Sequence, residues 1–66
     1  MSVAKVIEIC SESSESFEDA IEAGIHQANK TLKHVRGAWV QGQKVKVEDG
    51  RITAYRVDLK VTFVLE

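Results

Sequence analysis

The sequence predicts an α+β domain connected βαββ, with one helix packed on a three-stranded antiparallel sheet of order 1-3-2. Three observations carry that reading. The run from Ile52 to Leu65 places Tyr55, Val57, Leu59, Val61, Phe63 and Leu65 on alternate positions, with Arg56, Asp58, Lys60 and Thr62 between them, the period of a strand with one buried face. Between Phe17 and Leu32 the apolar residues recur at a spacing of three and four, as on one face of a helix. Asp49-Gly50 separates two alternating runs, a hairpin signal because both central turn positions favour positive φ.

Taken in order, Val3 to Cys10 forms the first strand, with Val3, Ile7 and Ile9 on one face and Glu8 on the other. The serine-rich break from Ser11 to Ser16 ends it and supplies hydroxyls for a helix start, with Ser13 or Ser14 expected as the N-cap. A helix from Ser14 to Leu32 carries Glu15, Glu18 and Asp19 in its first turns and Lys30, Lys33 and His34 at its end, each sign matched to the helix dipole. Its inward stripe is Phe17, Ala20 or Ile21, Gly24, Ala28 and Leu32, with Ile25 at the margin. Gly24 costs about 1 kcal/mol against Ala, so a bulky neighbour is expected close to the backbone there. The second strand runs from about Val35 to Val47, interrupted by Gly37 and Gly42.

With the turn at Asp49-Gly50, Ala38 faces Val61 and Val40 faces Leu59 on the helix side. The other face pairs Trp39 with Lys60, Gln41 with Asp58, and Gln43 with Arg56. A bulge at either glycine would shift the pairing near Trp39, so the pairs close to Asp49 are expected to be the firmer ones. A right-handed crossover makes strands one and two parallel, and the third fits between them as an antiparallel centre.

The chain of 66 residues reads as one domain, residues 1–66, and hides only roughly 60% of the surface its unfolded form exposes. A single cysteine, Cys10, excludes an intrachain disulfide framework and is expected to be a buried, inert thiol in a reducing compartment. The near-balanced charge of −1 gives no footprint for nucleic acid. No apolar run approaches the roughly 20 residues that span a bilayer, and no signal-peptide pattern opens the chain; a cytoplasmic protein is expected. Length points to self-association. The third strand extends roughly 46 Å at its per-residue rise, whereas the helix covers about 28 Å. Phe63 and Leu65, or Tyr55 at the other end, therefore need cover from another chain, and a homo-oligomer is the expected means of stabilising so small a core.

Little in the chain points to catalysis. The serines cluster at a helix start without a histidine nearby in sequence, and the four glycines are too dispersed for a phosphate loop. An enzyme is not expected. Glu22 and His26 lie one helical turn apart, a spacing more typical of a surface pair than of a metal site. Carboxylates at Glu12, Glu15, Asp19, Glu48, Asp49 and Asp58 could surround a hard cation if symmetry gathered copies. Trp39 stands out as a lone Trp on the sheet face opposite the helix, with Gln41, Gln43, Arg56, Asp58 and Lys60 around it. It reads either as an interface anchor or as a platform for a planar ligand. Trp39, Gln41, Arg56 and Asp58 are the candidate ligand-binding residues; Trp39, Tyr55, Phe63 and Leu65 are the candidate interface.

The chain resembles the dodecins along essentially its whole length. K-V-I-E-I opens it, S-F-E-D-A-I begins the helix after a serine-rich break, K-T-L-K-H closes the helix, and Y-R-V-D-L-K-V-T-F-V-L-E ends the chain. The resemblance implies small βαββ subunits in a hollow, spherical dodecamer that sequesters riboflavin or FMN without catalysis. In flavin-binding members a Trp early in the second strand stacks the ring and a third-strand Gln bonds its polar edge. Aligned from K-T-L-K-H, that Trp position falls on Gly37 and that Gln position on Arg56. Trp39 keeps the face but lies one pleat away, about 6 to 7 Å along the strand. A branch of the family that lacks the flavin Trp and binds calcium is similar in its opening and its third strand. The expected function is a non-catalytic shell that stores or buffers a small ligand, flavin by default, with a calcium-binding or structural shell as the alternative.

Overall fold

The computed structural model describes residues 2–65. It contains β1 (Ala4–Ser13), α1 (Phe17–Thr31), β2 (Val35–Glu48) and β3 (Arg51–Val64). The strands form one sheet of order β1-β3-β2, antiparallel at both pairings, so β3 is the central strand as its pattern predicts. Its alternation explains the core: Val57, Leu59 and Val61 are fully buried, facing Ala20 and Ala28 of α1. Ile7, Ile9, Phe17, Ile21, Leu32, Val35 and Val40 complete the packing.

The element boundaries move for local reasons. β1 continues three residues past Cys10 because Ser11, Glu12 and Ser13 pair with Val57, Arg56 and Tyr55. The helix starts later than expected, and its N-cap is Ser16, whose hydroxyl accepts from the Asp19 N–H at 2.9 Å. Ser13, one of the two serines expected as the cap, instead braces the turn. Its buried hydroxyl donates to Asp19 Oδ2 at 2.7 Å and accepts from the Glu15 N–H at 2.9 Å. At the other end α1 stops at Thr31, where the Leu32 N–H still reaches the Ala28 carbonyl at 3.0 Å. His34 then takes φ of 61° to turn the chain into β2, leaving Lys30 as the cation in the last helical turn.

The hairpin forms at Asp49-Gly50 with φ of 51° and 76°, both in the left-handed region that such a tight turn needs. Glu48–Arg51 and Val47–Ile52 pair as the turn dictates, but Thr53 has no partner in β2, and from Lys46–Ala54 to Gly42–Asp58 the register is offset by one. The Thr53 hydroxyl donates to the Lys46 carbonyl at 3.4 Å, bonding a backbone group beside the interruption. Gln41 is the matching extra residue in β2 and restores Val40–Leu59, Trp39–Lys60 and Ala38–Val61. The pairs around Trp39 and those next to the turn are therefore as expected, whereas those from Gly42–Asp58 to Lys46–Ala54 are shifted. Gln43 lies opposite Val57 rather than Arg56, and Lys44 takes the place across from Arg56.

The subunit is elongated, 51 × 19 × 13 Å, with a radius of gyration of 13.5 Å against about 10.8 Å for a compact chain of this length. The sheet overhangs the helix. Val45, Val47 and Ile52 are exposed near the hairpin, and Leu65 is exposed at the far end, where its N–H bonds the Val3 carbonyl just beyond the strands. Tyr55 differs from expectation: it is half-buried and covered within its own chain by Phe17, the rings meeting edge to face at 5.1 Å and 77°. Phe63 is half-buried. Among the described residues no helix is long and apolar enough to cross a membrane.

Candidate functional site

The face of the sheet turned away from α1 is built from rows of residues paired across all three strands. Glu8, Lys60 and Trp39 form one row, Cys10, Asp58 and Gly42 the next, and Glu12, Arg56 and Lys44 the third. Because side chains alternate, neighbouring rows on one face stand about 6 to 7 Å apart. Among the described residues no other element covers this face, and Trp39 is 63% exposed on it. Burying so large an apolar ring is worth several kcal/mol at about 25 cal/mol per Å², a gain that the single subunit leaves unrealised. Lys60 lies over the ring with Nζ 5.6 Å from the centroid, a cation–π contact worth ~0.5–1 kcal/mol at an exposed site.

Beside this row lies a hollow of about 370 Å³ lined by Glu8, Ile9, Cys10, Gln41, Gly42 and Asp58. Its shape follows from β2. The extra residue at Gln41 bends the strand, and Gly42 opposite Asp58 adds no side chain; a Cβ there would stand 3.6 Å from Asp58 Oδ2. The Cys10 thiol donates to Asp58 Oδ1 at 3.2 Å. Cys10 is thus exposed rather than buried, a correction with a simple cause: Ile7 and Ile9 point to the core, so the next residue points away.

The structure brings three of the four candidate ligand residues close together. Trp39, Gln41 and Asp58 sit within two adjacent rows, while Arg56 lies one row further along between Glu12 and Lys44 and does not line the hollow. Gln41 reaches the hollow as a bulge residue, not as the direct partner of Asp58. Sequence reasoning missed Glu8, Cys10 and Gly42, although the parity of Ile7 and Ile9 was the available signal for the first two. Among the described residues no three metal-ligating side chains converge within one subunit. Glu22 and His26 line a shallow hollow on the outer face of α1 with Ile21, Ile25 and Asn29, and the Asp19 carboxylate is engaged by Ser13.

An elongated βαββ subunit whose sheet carries one helix-covered face and one open, Trp-bearing face defines a class of small proteins completed by packing against something else. The chain belongs to the dodecin family, whose model matches residues 3–66. It is 34% identical over 64 residues to the dodecin of Thermus thermophilus, covering 97% of this chain and 93% of the relative. Among solved structures, a variant of that dodecin superposes with a TM-score of 0.94 at 33% identity, covering 100% of this chain and 98% of the other. The dodecin of Streptomyces davaonensis gives 0.93 at 31% identity over 98% of this chain and 96% of its own. A calcium dodecin from Mycobacterium tuberculosis, described as calcium chelating, gives 0.84 at 35% identity over 98% and 93%.

Proposed function

We propose that the chain is the subunit of a non-catalytic, closed homo-oligomeric shell, a dodecamer by family analogy, that holds a planar aromatic ligand on Trp39, with riboflavin or FMN as the default. The observation that carries this reading is Trp39 itself, exposed on a sheet face that its own subunit leaves open and beside a polar hollow. An indole face stacks any planar ring, at ~1–3 kcal/mol per ring. Gln41 and Asp58 supply hydrogen-bonding groups next to it, and Arg56 stands at the margin for a charged substituent. The exposed Leu65 and the half-buried Phe63 lie at the end expected to meet a neighbouring subunit, with Val45, Val47 and Ile52 adding apolar surface at the hairpin.

Titrating ligand-free protein with riboflavin is expected to quench the flavin fluorescence at micromolar protein. Trp39→Ala is expected to weaken that binding about 5- to 150-fold, the equivalent of the stacking energy. Absence of quenching in the wild-type protein would reject the flavin reading. If Trp39→Ala instead dissociates the shell by light scattering, Trp39 is an interface anchor.

A second reading, a calcium-binding shell, is favoured by the 35% identity to the calcium dodecin. Carboxylates from more than one subunit would build such a site, since no three metal-ligating side chains converge within one among the described residues. Calorimetric titration with calcium separates the two readings.

A further inference from the structure

Asp58 lines the hollow with its two carboxylate oxygens in distinct surroundings. Oδ1 accepts the Cys10 thiol at 3.2 Å. Oδ2 faces the space that a side chain at position 42 would enter, with Gly42 leaving it open at 3.6 Å from where a Cβ would be. The bulge falls at Gln41, which lines the same hollow. Lys60 and Asp58 are two residues apart on one face, and Lys60 is the cross-strand partner of Trp39. A ring stacked on Trp39 therefore has its edge within about 6 to 7 Å of the Asp58 row, a span that a fused two- or three-ring system covers.

We propose that Asp58 Oδ2 is the specificity-determining acceptor of the site and selects planar heterocycles whose edge presents an N–H donor flanked by carbonyls, as in an imide. This rests on the ligand-platform reading of Trp39 and deepens it. Cys10 positions Asp58, Gly42 keeps its free oxygen accessible, and the Gln41 amide donates to a flanking carbonyl. A carboxylate that is not protonated is acceptor-only, so it rewards a donor edge and repels an edge that offers only lone pairs. The arrangement does not need a phosphate or a metal, and it assigns functions to Cys10 and Gly42.

The test compares riboflavin with riboflavin methylated on its imide nitrogen, which keeps the stacking surface and removes the donor. Wild-type protein is expected to bind the methylated compound about tenfold or more weakly, the effect of one hydrogen bond to a charged acceptor. Asp58→Ala is expected to bind both about equally, with circular dichroism and light scattering confirming the fold and assembly. Equal binding of both compounds by the wild-type protein, with the affinity still dependent on Trp39, overturns the role of Asp58 and leaves the platform intact. Failure of riboflavin to bind at all overturns both. The wild-type comparison decides the matter even if the variant does not fold.

Discussion

Leu59→Ala is expected to destabilise the protein by ~2–5 kcal/mol, seen as a loss of denaturant midpoint at fixed protein concentration or as failure to accumulate folded. Leu59 is 1% exposed at the middle of the central strand. It faces the helix, pairs with Ile9 on one side and Val40 on the other, and is among the largest fully buried side chains. Only Ala20, Ala28, Ala54, Val57 and Val61 accompany it as buried apolar residues among those described, so no second layer is available to close the cavity. An unchanged midpoint would mean that the core of the assembled protein lies elsewhere than between α1 and β3.

Gly24→Val is expected to cost about 3 kcal/mol, the upper end of overpacking penalties, read as a fall in the same midpoint. The close approach expected at this glycine is present: an added Cβ would stand 3.0 Å from Leu59 Cδ1, 3.1 Å from Ser11 Cβ and 3.4 Å from Ser11 Oγ. Gly24→Ala sets one atom against these contacts while gaining about 1 kcal/mol of helix propensity, so it is expected to lie near neutral. Valine adds two more carbons on a β-branched frame with little freedom to turn away. The contrast between the two variants separates a packing requirement from a backbone one. A valine variant as stable as the alanine variant would show that α1 can lift off the sheet at no cost.

The path from sequence to structure was clear wherever a strict period governed the chain. Val57, Leu59 and Val61 announced their burial by alternation, and Ala20, Gly24 and Ala28 by helical spacing, so the order and direction of the strands followed. Boundaries were less legible because several hydroxyls competed for the same role. Among Ser11, Ser13, Ser14 and Ser16 the choice of cap depends on where β1 stops pairing with β3, a long-range fact that local sequence does not contain. The candidate site was legible as a face but not as a geometry. Trp39 and Lys60 met as expected, whereas the partners of Asp58 and Arg56 shifted because unpaired residues at Gln41 and Thr53 are invisible to a pattern of period two. The same blindness concealed Gly42, whose contribution is an unfilled space.

The extra residue at Gln41 gives β2 a property akin to a reading frame. On one side of it the odd-numbered Trp39 stands over the open face; on the other, Gly42 and Lys44, both even, occupy that face opposite Asp58 and Arg56. Two faces of one strand are thus written in opposite parity, joined at a single residue. Removing Gln41 alone would make the ladder continuous, leaving Val40 opposite Leu59 and the indole on the open face but erasing the bulge that shapes the hollow. Position 41 acts through its backbone, independent of its side chain, so the length of β2 between Trp39 and Gly42 is as much a determinant of the hollow as the identity of any residue in it.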